Sequence, residues 1–158
     1  MSVHASSDAL TDVLQEHHVY YEMIPHRRTQ TAAAEARVIG VDPDHVAKTV
    51  VLETEAGFVR AVLGAYDRID LRKVRVALDG REAHLASEQV LAGAYPEFEL
   101  GAVPPVGGPT NDVVLMDEGV RKAESVVFEA GTHEQSVRIK TADLVSVAGA
   151  RVADICKD

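Results

Sequence analysis

Apolar residues along this chain recur at two spacings, one helical and one alternating or continuous. Leu10, Val13 and Leu14 stand at helical intervals, with Ser6, Ser7 or Asp8 available as cap, which predicts a helix over 8–18. The run from Val19 to Pro25 is aromatic and aliphatic and closes on proline, as a strand does. After a polar loop, Thr31 can cap an alanine-rich helix over 32–39, and Gly40 stands where a left-handed glycine ends a helix. Asp42-Pro43 opens a further short helix that ends near Ala47. Strands over 48–54 and 58–63 flank the turn Glu55-Ala56-Gly57 and should pair as a hairpin.

The second half continues the mixture. Residues 67–77 read as a helix with Ile69, Val74 and Ala77 inward, and Asp79-Gly80 as a turn. Ser87 caps a helix over 88–93. Strands are expected over 112–117, 125–129 and 136–140, with a turn at Ala130-Gly131-Thr132-His133. Thr141 caps a helix over 142–148 that stops at Gly149, and 151–155 closes the chain as a short strand or extended tail. Adjacent strands with helices interspersed define an α+β (mixed α/β) class. One domain over 1–158 is expected, with a curved, mixed, mainly antiparallel sheet surrounded by helices.

Two places depart from the pattern. Lys48 heads the run Thr49-Val50-Val51-Leu52, where lysine is seldom buried. Its ammonium either snorkels to water or faces something negative, and the pattern leaves both open. The stretch from Tyr95 to Pro109 is too rich in proline and glycine for regular structure, yet too apolar for a free linker. Such a loop is rigid and packed against something.

Composition narrows the class. The 158 residues are 46% hydrophobic and 26% charged, ordinary for a globular protein. Aromatics are 4% and Trp is absent, so the core rests on Val, Leu, Ile and Ala. Cys156 is the single cysteine, which rules out an internal disulfide and suits a reducing compartment. No run reaches transmembrane length and the N-terminus lacks signal-peptide order, so a cytoplasmic protein without membrane partners is expected. A net charge of −9 argues against broad, non-specific nucleic-acid binding but leaves room for a local basic patch.

Familiar catalytic kits are missing. There is no G-x-S-x-G elbow, no phosphate-binding glycine loop, no H-x-x-x-H pair and no cysteine pair, so neither a metal nor a cofactor is expected. What remains is Lys48, the Gly/Pro loop and the turn at Gly131-Thr132-His133, none of them specific alone.

Together these pieces resemble the YbaK/EbsC family, the aminoacyl-tRNA deacylase domain also found as the editing insertion of bacterial prolyl-tRNA synthetases. The resemblance rests on Ile24-Pro25-His26 with Thr31-Ala32, Gly40-Val41 and Val46-Ala47-Lys48-Thr49-Val50-Val51-Leu52. It continues through Asp70-Leu71-Arg72-Lys73, the G-x-x-x-P of Gly101 and Pro105, and Val126-Val127-Phe128-Glu129-Ala130-Gly131. It implies a mixed α/β domain that hydrolyses the ester between a wrong amino acid and its tRNA. Lys48 and Gly101 would then be catalytic, with Tyr20, His26, Thr49, Pro105, Gly131, Thr132 and His133 near the substrate. Tyr20, Ile24, Val50, Leu63 and Val103 are candidate pocket liners. The family's proposed route is substrate-assisted, a ribose hydroxyl helping to activate water while Lys48 holds phosphate or ester oxygen as a point charge.

The partners implied are the acceptor end of an aminoacyl-tRNA and a synthetase. Arg68, Arg72 and Arg75 fall on one face of the expected helix, and with Lys73, Arg27 and Arg28 they could meet the acceptor stem. Glu129 stands where several members carry a small hydroxyl residue, and Thr49 where alanine-clearing members often carry Asn. A carboxylate so near the ester motivates an alternative, a tRNA- or aminoacyl-nucleotide-binding module without turnover.

Overall fold

The computed structural model describes residues 5–108 and 112–158. Met1–His4, and the end of the Gly/Pro stretch at Pro109, lie outside the described residues. The elements run α1 (Asp8–Glu16), β1 (Tyr21–Pro25), α2 (Ala32–Ile39), a 3-10 turn (Pro43–His45), β2 (Ala47–Thr54) and β3 (Gly57–Gly64). Then come α3 (Leu71–Ala77), β4 (His84–Leu85), α4 (Glu88–Ala94), β5 (Val113–Asp117) and α5 (Glu118–Arg121). The chain closes with β6 (Ser125–Glu129), β7 (Gln135–Lys140), α6 (Thr141–Ala148) and β8 (Arg151–Ala153). The fold is α+β and its sheet pairing is mixed, mainly antiparallel. No helix among the described residues is long and apolar enough to cross a membrane.

The strands divide between two sheets. One has the order β1-β7-β6 and is antiparallel throughout. The other has the order β4-β2-β3-β5-β8, antiparallel at β4-β2-β3 and parallel at β3-β5-β8. A bridge from Val46 to Val127 joins them just where β2 begins.

Local chemistry sets the element ends. The Thr31 hydroxyl accepts from the Ala34 N–H, and Gly40 closes α2 at φ 82°, both as the sequence predicts. The expected helix over 67–77 starts later. The Asp70 carboxylate accepts from the N–H groups of Arg72 and Lys73, fixing the helix start at Leu71. Ile69 is drawn instead into a bridge with Cys156. Thr141 is the first residue of α6 rather than its cap, which falls on Lys140. The short β4 and α5 leave too few residues to show a period, and the sequence does not reveal them.

The β2–β3 register explains where Lys48 stands. Lys48 pairs with Leu63, Val50 with Ala61 and Leu52 with Val59, so these share one face of the sheet. Leu52, Val59, Ala61 and Leu63 pack there with Val74 and Leu78, and with Leu115 and Ile155. Each fully buried Leu or Ile contributes roughly 1.5–3 kcal/mol, so the register is strongly held. On the opposite face Val51 packs with Tyr95, Phe98 and Val103.

Candidate active site

The Gly/Pro loop is held from behind by an arginine in the middle of β3. Arg60 is only 2% exposed. Its Nε donates to Asp112 Oδ2 at 2.7 Å, its Nη1 to the Pro104 carbonyl at 2.8 Å and its Nη2 to the Gly107 carbonyl at 2.6 Å. Its guanidinium carbon lies 4.9 Å from the centre of the Tyr95 ring, and the Tyr95 hydroxyl donates to the same Asp112 oxygen. Gly107 has φ +95°, and a Cβ there would fall 2.6 Å from the Ala9 carbonyl oxygen. The loop is thus stiff because its carbonyls are bound and its glycine is pressed against α1.

The near side of this loop forms one wall of a cavity of about 340 Å³. Gly101 and Val103 supply that wall, while Ala47, Lys48 and Thr49 come from the head of β2 and Ala65 from just beyond β3. The start of α2 brings Thr31, Ala32 and Glu35, and the end of β6 brings Phe128 and Glu129. Lys48 Nζ donates to the Ala65 carbonyl at 3.3 Å and has no acidic partner among the described residues. Two of its three N–H donors therefore remain for a ligand.

Two acids share the cavity with that ammonium. Burial pushes the Glu35 carboxyl up to about 8, with Glu129 adding repulsion and the Ser136 hydroxyl opposing it. Burial also pushes Glu129 up to about 8, with Glu99 adding to it and Arg28 opposing. Burial thus favours the neutral form of both carboxyls at pH 7. Glu129 Oε2 lies 2.7 Å from His133 Nδ1, a close contact rather than an aligned hydrogen bond. His133 Nε2 donates to the Leu100 carbonyl at 2.7 Å, since that oxygen can only accept.

A relay lies behind Glu35. Ser136 Oγ is 2.5 Å from Glu35 Oε2 and 2.9 Å from His26 Nε2. His26 Nδ1 donates to the Arg27 carbonyl at 2.7 Å. Glu35 Oε1 is buried and has no hydrogen-bond partner among the described residues.

The residues singled out from sequence divide accordingly. Lys48, Thr49 and Gly101 line the cavity. His26 reaches it only through Ser136 and Glu35. His133 backs the wall, since a Cβ on Gly101 would lie 3.4 Å from its Cε1. Gly131 serves packing, because a Cβ there would fall 2.6 Å from both Phe98 Cδ1 and the Ser6 carbonyl oxygen. Thr132 accepts from the Glu134 N–H at 3.3 Å and does not line the cavity. Pro105 borders a separate hollow of about 200 Å³ beside Arg60. Of the expected liners only Val103 is in place. Val50 and Leu63 face the core under α3, Ile24 belongs to the other sheet, and Tyr20 is 72% exposed ahead of β1.

The basic residues are similarly sorted. Arg68 lies before α3, so the expected three-arginine helix face is not built. Lys73 Nζ is held by Asp154 at 3.0 Å, Asp158 at 2.8 Å and the Cys156 carbonyl at 2.7 Å. Arg75 donates to the Gly80 carbonyl at 3.2 Å. Arg28 pairs with Glu99 at 2.6 Å. Arg27, Arg68 and Arg72 are exposed.

Sequence reasoning missed Glu35, Ser136 and Arg60. Two of them left a signal. Glu35 falls on the buried stripe of α2 with Ala32 and Ala36, and Arg60 interrupts the apolar run of β3.

The model of the aminoacyl-tRNA editing domain matches residues 26–147, and the chain belongs to that family. Among solved structures it is similar to a candidate trans-editing enzyme for prolyl tRNA synthetase, at 25% identity and a TM-score of 0.84. That match covers 96% of this chain and 97% of the other. A hypothetical protein shares the fold at 22% identity and TM-score 0.86, covering 94% of this chain and 99% of its own. A computationally designed epitope scaffold shares it at 23% identity and TM-score 0.82, covering 96% and 97%. No curated protein matches at a significant level.

Proposed function

We propose that the protein is a trans-acting aminoacyl-tRNA deacylase that clears tRNA mischarged with a small amino acid such as Cys, Ala or Ser, on tRNA(Pro)-like substrates. One observation carries this reading: Lys48, without an acidic partner among the described residues, shares a small cavity with the rigid loop at Gly101. At about 340 Å³ the cavity lies at the low end of ligand pockets, roughly 300–1,000 Å³. Membership of the editing family and likeness to a candidate prolyl-tRNA trans-editing enzyme support it.

An aminoacyl ester is already activated, so the protein has to place water and stabilise an oxyanion rather than supply a strong nucleophile. Lys48 holds the terminal phosphate or the ester oxygen as a point charge. Gly101, at φ +83°, lets the loop turn through a left-handed conformation that brings its backbone to the cavity wall. A ribose hydroxyl of the substrate helps activate the water, a route that invokes no metal or other cofactor. Thr49 borders the reacting group, and Arg27, Arg68 and Arg72 meet the acceptor stem outside. Acting on charged tRNA, alone or beside a synthetase, suits a cytoplasmic protein.

The binding-only alternative rested on repulsion of phosphate and oxyanion by a Glu129 carboxylate. Burial pushes that group up to about 8, which weakens the repulsion at pH 7. The test is a panel of mischarged tRNAs followed for ester loss. We expect turnover of a small aminoacyl ester, abolished in Lys48→Ala. No hydrolysis above the buffer rate, or full activity in Lys48→Ala, would overturn the reading, and saturable binding without hydrolysis would favour the alternative.

A further inference from the structure

We propose that Glu35 binds the α-ammonium group of the aminoacyl moiety, handing its own proton through Ser136 to His26 as the ammonium arrives. The inference rests on reading the cavity as an aminoacyl site.

Hydrogen-bond bookkeeping leads to it. Ser136 Oγ carries one proton and lies between Glu35 Oε2 and His26 Nε2. His26 Nδ1 is committed as a donor to the Arg27 carbonyl. With a neutral imidazole, Nε2 accepts from Ser136, and Ser136 must then accept from a protonated Glu35. With an imidazolium, Nε2 donates to Ser136, and Ser136 donates to a Glu35 carboxylate. The two states hold the same number of protons. Passing between them moves the Glu35 proton to Ser136 Oγ and the Ser136 proton to His26 Nε2, with nothing exchanged with solvent.

Glu35 can therefore become an anion whenever a cation stabilises it. Its second oxygen, Oε1, is the one left free to accept from such a cation. It is buried, lacks a hydrogen-bond partner and belongs to a residue lining the cavity. A hydroxyl would draw only a neutral hydrogen bond from this oxygen, whereas an ammonium makes use of the full charge the relay can deliver. Every aminoacyl ester carries that ammonium next to its carbonyl. The other groups around the site fit the assignment. Glu129 has its Oε2 against His133, and Lys48 is a cation suited to the phosphate or oxyanion end instead.

The experiment compares two non-hydrolysable probes, 3′-alanylamino-3′-deoxyadenosine and its lactyl counterpart, in which a hydroxyl replaces the ammonium. Titration calorimetry at pH 7 should show the alanyl compound bound about tenfold or more tightly by the native protein. Glu35→Gln should bring the two affinities together, the alanyl compound losing its roughly tenfold advantage over the lactyl one. Nitrogen-15 NMR of the His26 ring should show an imidazolium with the alanyl probe and not with the lactyl probe, a signature that a merely structural histidine would not give. Equal affinities in the native protein, a preference retained in Glu35→Gln, a His26 ring indifferent to the probe, or no binding of either compound would each overturn the inference. Deacylation without this preference would remove the Glu35 assignment alone. The preference without deacylation would remove the reaction and leave the assignment standing.

Discussion

Replacing Glu35 with glutamine should stabilise the protein progressively as the pH rises. An ordinary glutamate loses its proton near 4.5, whereas burial holds the Glu35 proton up to about 8. Between those values the folded chain binds a proton that the unfolded chain has released, so stability falls as pH rises through this window. Below about 4.5 both states are protonated and nothing is lost, and above about 8 the loss levels off. Each pH unit in the window costs about 1.4 kcal/mol, which accumulates to about 3 kcal/mol at pH 7. Glutamine has the same shape and never ionises, so Glu35→Gln removes this dependence. Any misfit between the amide and Ser136 adds a constant offset, and a constant offset cannot mimic a slope. Urea unfolding of both proteins, followed by circular dichroism from pH 4.5 to 8, separates the two. The stability difference should grow by about 1.4 kcal/mol per unit, with a comparable residual slope left by Glu129 in the variant. A difference that stays flat across the window would refute the claim that Glu35 is buried as a neutral acid.

Other substitutions probe the frame and the surface. Arg60→Met leaves Asp112 buried beside Tyr95 and frees the Pro104 and Gly107 carbonyls, which should cost about 3–5 kcal/mol in urea unfolding; a loss under 1 kcal/mol would mean that the loop does not depend on it. Gly107→Ala meets both a left-handed backbone and the Ala9 carbonyl, and should cost about 1–3 kcal/mol or more. Gly40→Ala, left-handed but with open space around it, should cost less, and equal thermal shifts would refute the role given to close approach. On tRNA, Arg72→Glu should weaken binding and lower the salt slope by about one, whereas Lys73→Gln should change neither, because Asp154 and Asp158 already hold that lysine. The reverse order of effects would move the tRNA surface elsewhere.

What the sequence revealed and what it concealed follow from the range of the interactions involved. Helix α2 was legible to the residue, because its cap Thr31 and its stop Gly40 act within one turn of its ends. The β2–β3 hairpin was legible because its turn and its alternation are local. The start of α3 was not. Asp67 and Asp70 are both plausible caps, and the choice depends on Ile69 pairing with Cys156 at the far end of the chain. The split into two sheets depends likewise on partners far apart in sequence. Within the cavity, Lys48 stood out as a charge heading an apolar strand, but its role and that of Gly101 came from the family resemblance, through the lysine-strand motif and the later G-x-x-x-P. Ser136 offers no such signal. Its importance comes only from standing between His26 and Glu35, which belong to other elements.

The chain buries ionisable groups in two different ways, and the contrast distinguishes frame from cavity. Around Arg60, Asp112, two loop carbonyls and the Tyr95 face together replace the water its guanidinium has lost. Glu35 has one hydrogen bond for two oxygens and no ion pair among the described residues, so burial favours its neutral form instead. A satisfied pair resists change, which is what a wall needs. An unsatisfied acid responds to whatever enters, which is what a binding surface needs. The same upward shift of Glu35 and Glu129 leaves Lys48 with no ionised acidic partner favoured among the described residues, so that an anionic phosphate or a developing oxyanion meets attraction there with less opposition from the carboxyls.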